Sequence, residues 1–176
     1  MKFVLSTLAV LLGATASLQA QSFTWTIVNW KVRHDFPKVK RITPREVANW
    51  RNDPKRPQPV LLDVRTKAEF DVSHIPGAQR VDPAADATAL SLPRDQPIVT
   101  YCSVGYRSGA FAQKLQSAGY KNVLNMSGSI FQWANEGRPI ESNGKPAAKV
   151  HPYSARWGKL LKPELRAHVP PAGADL

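Results

Sequence analysis

Short apolar runs alternate with helix-start signals along this chain, and that alternation restricts its fold more than any other feature. Pro97-Ile98-Val99-Thr100-Tyr101 is a β-branched run of buried-strand type, and Val60-Leu61-Leu62-Asp63-Val64-Arg65 is apolar enough for a central parallel strand covered on both faces. Asn122-Val123-Leu124 predicts another short strand, and Val81 begins or ends one more. Between them, Thr43-Pro44-Arg45-Glu46 carries a capping-box pattern with proline at the first helical position, and Val47 and Trp50 give that helix an apolar side. Thr66-Lys67-Ala68-Glu69 repeats the pattern, with Phe70 placed to pack beneath it. From Ser108, the positions Phe111, Leu115 and Ala118 recur at helical spacing until Gly119, which suits a C-terminal cap. Ser129-Ile130-Phe131-Gln132 resembles a third capping box, with a helix to about Glu136 and a Gly137 cap. Asp82-Pro83 starts a weak alanine-rich helix to about Leu90. Strands alternating with helices in this way predict an α/β domain with a mainly parallel sheet. Functional loops in such sheets lie at the carboxyl ends of strands.

Cys102 stands at such an end. It opens Cys102-Ser103-Val104-Gly105-Tyr106-Arg107-Ser108, directly after an apolar strand and before a helix. A thiol there faces the backbone N–H groups and dipole of a helix N-terminus, and the Arg107 guanidinium is close in sequence; all three stabilise a thiolate or a bound anion. Free cysteines are more often buried and inert. The arginine close behind in a strand-to-helix loop reverses that reading and makes Cys102 a candidate nucleophile. It is the only cysteine, which excludes an internal disulfide, a dithiol redox cycle and a cysteine-based structural zinc site.

The 176 residues suit one domain with extensions. Lys2, the apolar stretch Phe3 to Gly13 and the small residues before Gln21 have the order of an export signal over residues 1–20. That order predicts a secreted or periplasmic protein, with membrane attachment only if the signal stays uncleaved. Residues 21–41 form an N-terminal extension. Phe23 to Arg33 alternates in part, which suggests an added strand burying Trp25, Ile27 and Trp30 or Val32. Residues 142–176 form a basic, proline-containing tail expected to wrap the domain through Tyr153, Trp157 and Leu161. The net charge of +11 favours anionic partners, but its lysines and arginines are dispersed and no nucleic-acid module is present. A small anionic substrate fits better than nucleic acid.

Taken together, Leu62-Asp63-Val64-Arg65, Glu69-Phe70, His74-Ile75-Pro76-Gly77-Ala78, Cys102 to Ser108 and Asn122-Val123-Leu124 resemble a single-domain rhodanese, a sulfurtransferase. The resemblance covers about residues 42–141. It implies a five-stranded parallel sheet flanked by helices on both faces, with the catalytic cysteine after the fourth strand. It departs from the family pattern at Ser73 and Ser129, where glycine is frequent. The implied chemistry begins with Cys102 attacking the outer sulfur of a donor such as thiosulfate or a persulfide, which leaves a Cys102 persulfide. A thiol, cyanide or protein acceptor then removes the sulfur, and no metal or organic cofactor is needed. By the same resemblance the amides of Ser103, Val104, Gly105, Tyr106 and Arg107 bind the transferred sulfur, and the Arg107 charge faces the donor. Asp63, Arg65, Glu69, His74 and Ser108 brace the site, with Arg65 and Glu69 expected to pair. The alternatives are a non-turnover sulfur carrier or persulfide sensor, and a cysteine-dependent phosphatase or arsenate reductase. Against the latter, the C-x-x-x-x-R loop is one residue shorter than a phosphate cradle.

Overall fold

The computed structural model describes residues 23–169; the export-signal reading of Met1 to Ala20 lies outside the described residues. Strands β1 (Lys40–Ile42), β2 (Val60–Asp63), β3 (Gln79–Arg80), β4 (Ile98–Tyr101) and β5 (Val123–Met126) form one sheet in the order β1-β5-β4-β2-β3. All neighbouring pairs are parallel, with Asp63 opposite Tyr101 and Thr100 opposite Asn125. The central strand β4 is buried along its whole length. Its side chains alternate between two cores, as the period of a strand demands. Val99 and Tyr101 join Leu61 and the apolar sides of helices α2 (Pro44–Arg51) and α5 (Ser129–Asn135). Ile98 joins Leu62, Val64 and the Phe111, Ala112 and Leu115 face of α4 (Tyr106–Ser117) on the opposite side. Helices therefore cover both faces.

The first two helix starts behave as their sequences require. Thr43 and Thr66 each accept the backbone N–H three residues on, while Glu46 and Glu69 reach back to the cap N–H of α2 and of α3 (Lys67–Val72). Three other expectations are corrected. Residues 23–35 form a helix, α1, and not a strand. Val28 and Val32, four residues apart, are its buried positions, whereas Ile27 and Trp30 are exposed. Helical spacing thus overrides the partial alternation, and each buried valine contributes roughly 1.5 kcal/mol. Asp82 to Leu90 forms only a short 3₁₀ turn at Ala87–Ala89, started by the Asp86 carboxylate accepting from Thr88 N–H. Ser129 is no helix cap: Gly128, in the left-handed region at φ 67°, occupies the cap position of α5.

The described part of the tail wraps the domain through Leu161 and the half-buried Trp157 as expected, whereas Tyr153 stays exposed; the chain adds a hairpin, β6 (Ile140–Ser142) with β7 (Lys145–Ala147), and a short helix α6 (Ala155–Gly158). Val150, Leu160 and Leu161 are buried in the same core as α2 and α5. The Asn135 side chain clasps the tail, donating to Leu160 C=O and accepting from Lys162 N–H. Gly158 presses on Pro152, where a Cβ would lie 2.7 Å from the proline ring. At the other end of the chain, Phe36 packs so close to α4 that a Cβ on Gly109 would meet it at 2.6 Å. Both extensions are thus docked on the domain.

Candidate active site

The carboxyl end of β4 delivers Cys102 into a four-residue loop that ends at the first turn of α4. The turn requires Gly105, whose φ of 109° lies where a side chain is strained. In that conformation the Gly105 N–H donates to Cys102 Sγ at 3.1 Å. Of the expected loop amides, this one makes the bond to sulfur. The N-terminus of α4 has no side-chain cap, so its dipole and first-turn amides face the thiol region without competition.

The loop is held from behind by α5 and β5. Cys102 N–H donates to Ser129 Oγ, which itself donates to Met126 C=O. Cys102 C=O and Ser103 C=O accept from Ile130 and Phe131 N–H. These bonds hold Ser129 at φ 48°, an uncommon conformation for a residue with a side chain. The buried Asn125 side chain donates to Gly105 C=O and accepts from Ser108 Oγ. Sequence reasoning assigned Ser129 to a cap and passed over Asn125. The available signal was a polar residue inside an apolar strand, since a buried amide needs partners.

The charged groups pair differently from the expectation. Arg65 and Glu69 are not partners. Arg65, fully buried, holds Asp63 through two donors and reaches Ser73 C=O at 2.6 Å. It joins the end of β2 to the turn before Ile75, whose N–H donates to Tyr101 Oη. Burial works against the Arg65 charge, but Asp63 more than offsets it and the guanidinium is held above its ordinary pKa. Glu69 instead receives Arg107 Nη1 and Nη2 at 2.8 and 2.7 Å, and Ser103 Oγ at 3.0 Å. Burial pushes the Glu69 carboxyl up, yet Arg107 and the Thr66 cap bonds overcome it and bring the pKa down to about 2. Arg107 is raised in turn, against its own burial, by Glu69 and by the charge of Cys102. The Arg107 fork is therefore occupied by a carboxylate and does not point as a free charge at an anion. His74 acts as a strut: its ring stacks on Phe70, Nδ1 lies 3.1 Å from Phe70 C=O, and Nε2 lies 3.4 Å from Glu141. Ser108 is buried beneath the loop, bonded to Asn125.

Above the thiol lies a cavity of about 260 Å³. Cys102 to Val104, Tyr106 and Arg107 form its floor. Ile27, Val28 and Lys31 of α1 form one wall, and Tyr153 and Trp157 of the tail form the other. Tyr153 lies in the left-handed region at φ 62°, held by its N–H bond to His151 Nδ1, and its ring covers Arg107 at 4.7 Å. Burial pushes the His151 pKa below the ordinary imidazole value, against the opposing charge of Glu69. On the opposite wall Asp35 accepts from both Lys31 Nζ and Tyr106 Oη at 2.8 Å, tying α1 to the first residue of α4.

A sequence profile of the Rhodanese-like domain matches residues 43–136. A protein named Sulfurtransferase from Allochromatium vinosum is 38% identical over 82 residues, 46% of this chain and 77% of that protein. A probable adenylyltransferase/sulfurtransferase, MoeZ, of Mycobacterium tuberculosis is 32% identical over 105 residues, 58% of this chain. The chain spans only 26% of the length of that relative. Among solved structures, a rhodanese-like domain protein from Staphylococcus aureus aligns with a TM-score of 0.53 at 26% identity, over 60% of this chain and 100% of that one. The profile takes in the loop, Glu69 and Arg107, and stops short of both cavity walls.

Proposed function

This chain belongs to the rhodanese-like family, and on that premise we propose that it is a sulfurtransferase that carries sulfane sulfur on Cys102. The observation that supports this most is the Gly105 N–H bonded to Sγ at the uncapped start of α4, on the floor of a cavity. That donor stabilises negative charge on Sγ and so favours the thiolate, the form that attacks. The thiolate attacks the outer sulfur of thiosulfate or of a persulfide; an S–S bond forms at Sγ as the donor's own S–S bond breaks. Sulfite or a thiolate leaves, and a thiol or cyanide acceptor restores the free cysteine. The paired state of Arg107 speaks against phosphatase chemistry, because a phosphate would have to compete with Glu69 for the guanidinium.

The purified protein is expected to convert thiosulfate and cyanide to thiocyanate and to leave aryl phosphates unhydrolysed. Efficient aryl phosphate hydrolysis without thiocyanate formation would reverse the assignment. The order of residues in Met1 to Ala20 adds a proposed location, outside the cytoplasm. A mature chain beginning near Gln21, read by N-terminal sequencing, is the expected result; an intact N-terminus in the cytosol would refute it.

A further inference from the structure

The cavity walls carry little charge that a ligand could use. Among the described residues two cations border the cavity, and each already has a carboxylate: Lys31 donates to Asp35 at 2.8 Å, and Arg107 is held by both oxygens of Glu69. A small dianion therefore gains no unpaired cation from the walls, which add nothing to whatever hold the loop amides have on it. What the walls do offer is Ile27 and Val28 on one side and Trp157 with the Tyr153 ring on the other, above Val104. A dry apolar cavity of about 150 Å³ holds a benzene ring. The cavity here, at about 260 Å³, takes a body of that size with its sulfur at Cys102.

Resting on the sulfurtransferase reading, we propose that the exchange partner is an organic thiol with an apolar body, such as a benzyl or branched alkyl thiol, and its persulfide. In the loading direction, the Cys102 thiolate attacks the terminal sulfur of R–S–SH. The new Sγ–S bond forms, the donor's own S–S bond breaks with its electron pair going to the inner sulfur, and R–S⁻ leaves. Discharge is the reverse, with the acceptor thiolate attacking the outer sulfur on Cys102. No electrons are gained or lost overall, so no external oxidant or reductant is required. The apolar body occupies the space between α1 and the tail, both outside the family match, so this preference belongs to the chain's own extensions.

The test begins with full-length mature protein loaded by inorganic polysulfide, with the persulfide verified by mass. Discharge rates are then compared for phenylmethanethiol and for 2-mercaptoethanesulfonate, two primary thiols that differ in body and charge. Each rate is normalised to the same thiol's reaction with a small free persulfide. Phenylmethanethiol is expected to react about tenfold faster, equivalent to about 1.4 kcal/mol. In Ile27→Asp, a change at a half-exposed wall position, and in Trp157→Ala, that ratio is expected to fall toward one. Equal normalised rates in the parent protein, or a faster sulfonate, would overturn the proposal while leaving Cys102 a sulfur carrier. Failure of any donor to load Cys102 would instead overturn the sulfurtransferase reading and this inference with it.

Discussion

The floor of the cavity is made of charges, hydroxyls and backbone donors locked to one another, whereas its walls are rings and branched aliphatics that meet across open space. Glu69, Arg107 and Ser103 form a closed set of charge-assisted bonds under the loop, and Ser129 and Asn125 hold the loop's backbone from behind. Ile27 and Trp157 reach the same cavity from segments that the family match does not include. The difference separates two tasks. A fixed floor holds the sulfur nucleophile and its donor in register, as preorganised transition-state stabilisation requires. Walls supplied by extensions can change in character without disturbing that register, so they are where selectivity for the rest of the substrate resides.

The largest effect is expected at the nucleophile. Cys102→Ser is expected to abolish thiocyanate formation and to leave the thermal unfolding transition near that of the parent. Retained activity would remove the floor from the chemistry altogether. Next in size is Arg107→Ala, which leaves the Glu69 carboxylate buried without its main partner. It is expected to cost about 3 kcal/mol in urea unfolding. A variant that keeps parental stability and loses only thiosulfate use would return Arg107 to the role of a free anion ligand.

Acid probes the same pair. The Glu69 carboxyl titrates at about 2 in the folded protein, against about 4.3 for an unperturbed glutamate. Because the folded value is depressed, the stability it contributes is complete above about pH 4.3 and is lost as the pH falls toward 2. Unfolding midpoints measured across that window should fall more steeply in the parent than in Glu69→Gln; parallel curves would show that the pair does not couple to folding. Ser129→Ala removes the acceptor of the buried Cys102 N–H and is expected to cost about 1–2 kcal/mol. The smallest effect belongs to the wall: Ile27→Asp, at a position 49% exposed, should change unfolding stability by no more than about 0.5 kcal/mol. A larger loss would mean that the wall is part of the fold and not only of the cavity.

The parallel sheet was legible because β2 and β4 are short and apolar, and because one capping box precedes β2 and another follows it, each with reciprocal bonds local to four residues. Local signals are strongest where the stabilising partner is near in sequence. The position of Cys102 was legible for the same reason, since a strand, a glycine and a helix start follow one another within ten residues. The charge pairing was not. Arg65 and Glu69 are four apart, which suggests a pair, but Arg65 turns to Asp63 and Glu69 to Arg107, 38 residues away. Only the approach of α3 to the loop brings those groups together. Ser129 looked like a cap because Gln132 stands three residues on, whereas its hydroxyl is used across 27 residues by Cys102. The helix over 23–35 was hidden because tryptophan and isoleucine also occupy its open side, which blurs the period. The cavity walls, drawn from both ends of the chain, had no local signature at all.

Whether Cys102 carries sulfur on the locked floor of this cavity can be read from the mass of the protein itself. Incubation with thiosulfate and, separately, with an organic persulfide, followed by removal of excess donor, should add the mass of one sulfur atom to the Cys102 peptide. Cyanide should return that peptide to its starting mass, and Cys102→Ser should gain nothing. A Cys102 peptide that stays unmodified under both donors in folded protein would show that Cys102 is not a sulfur carrier.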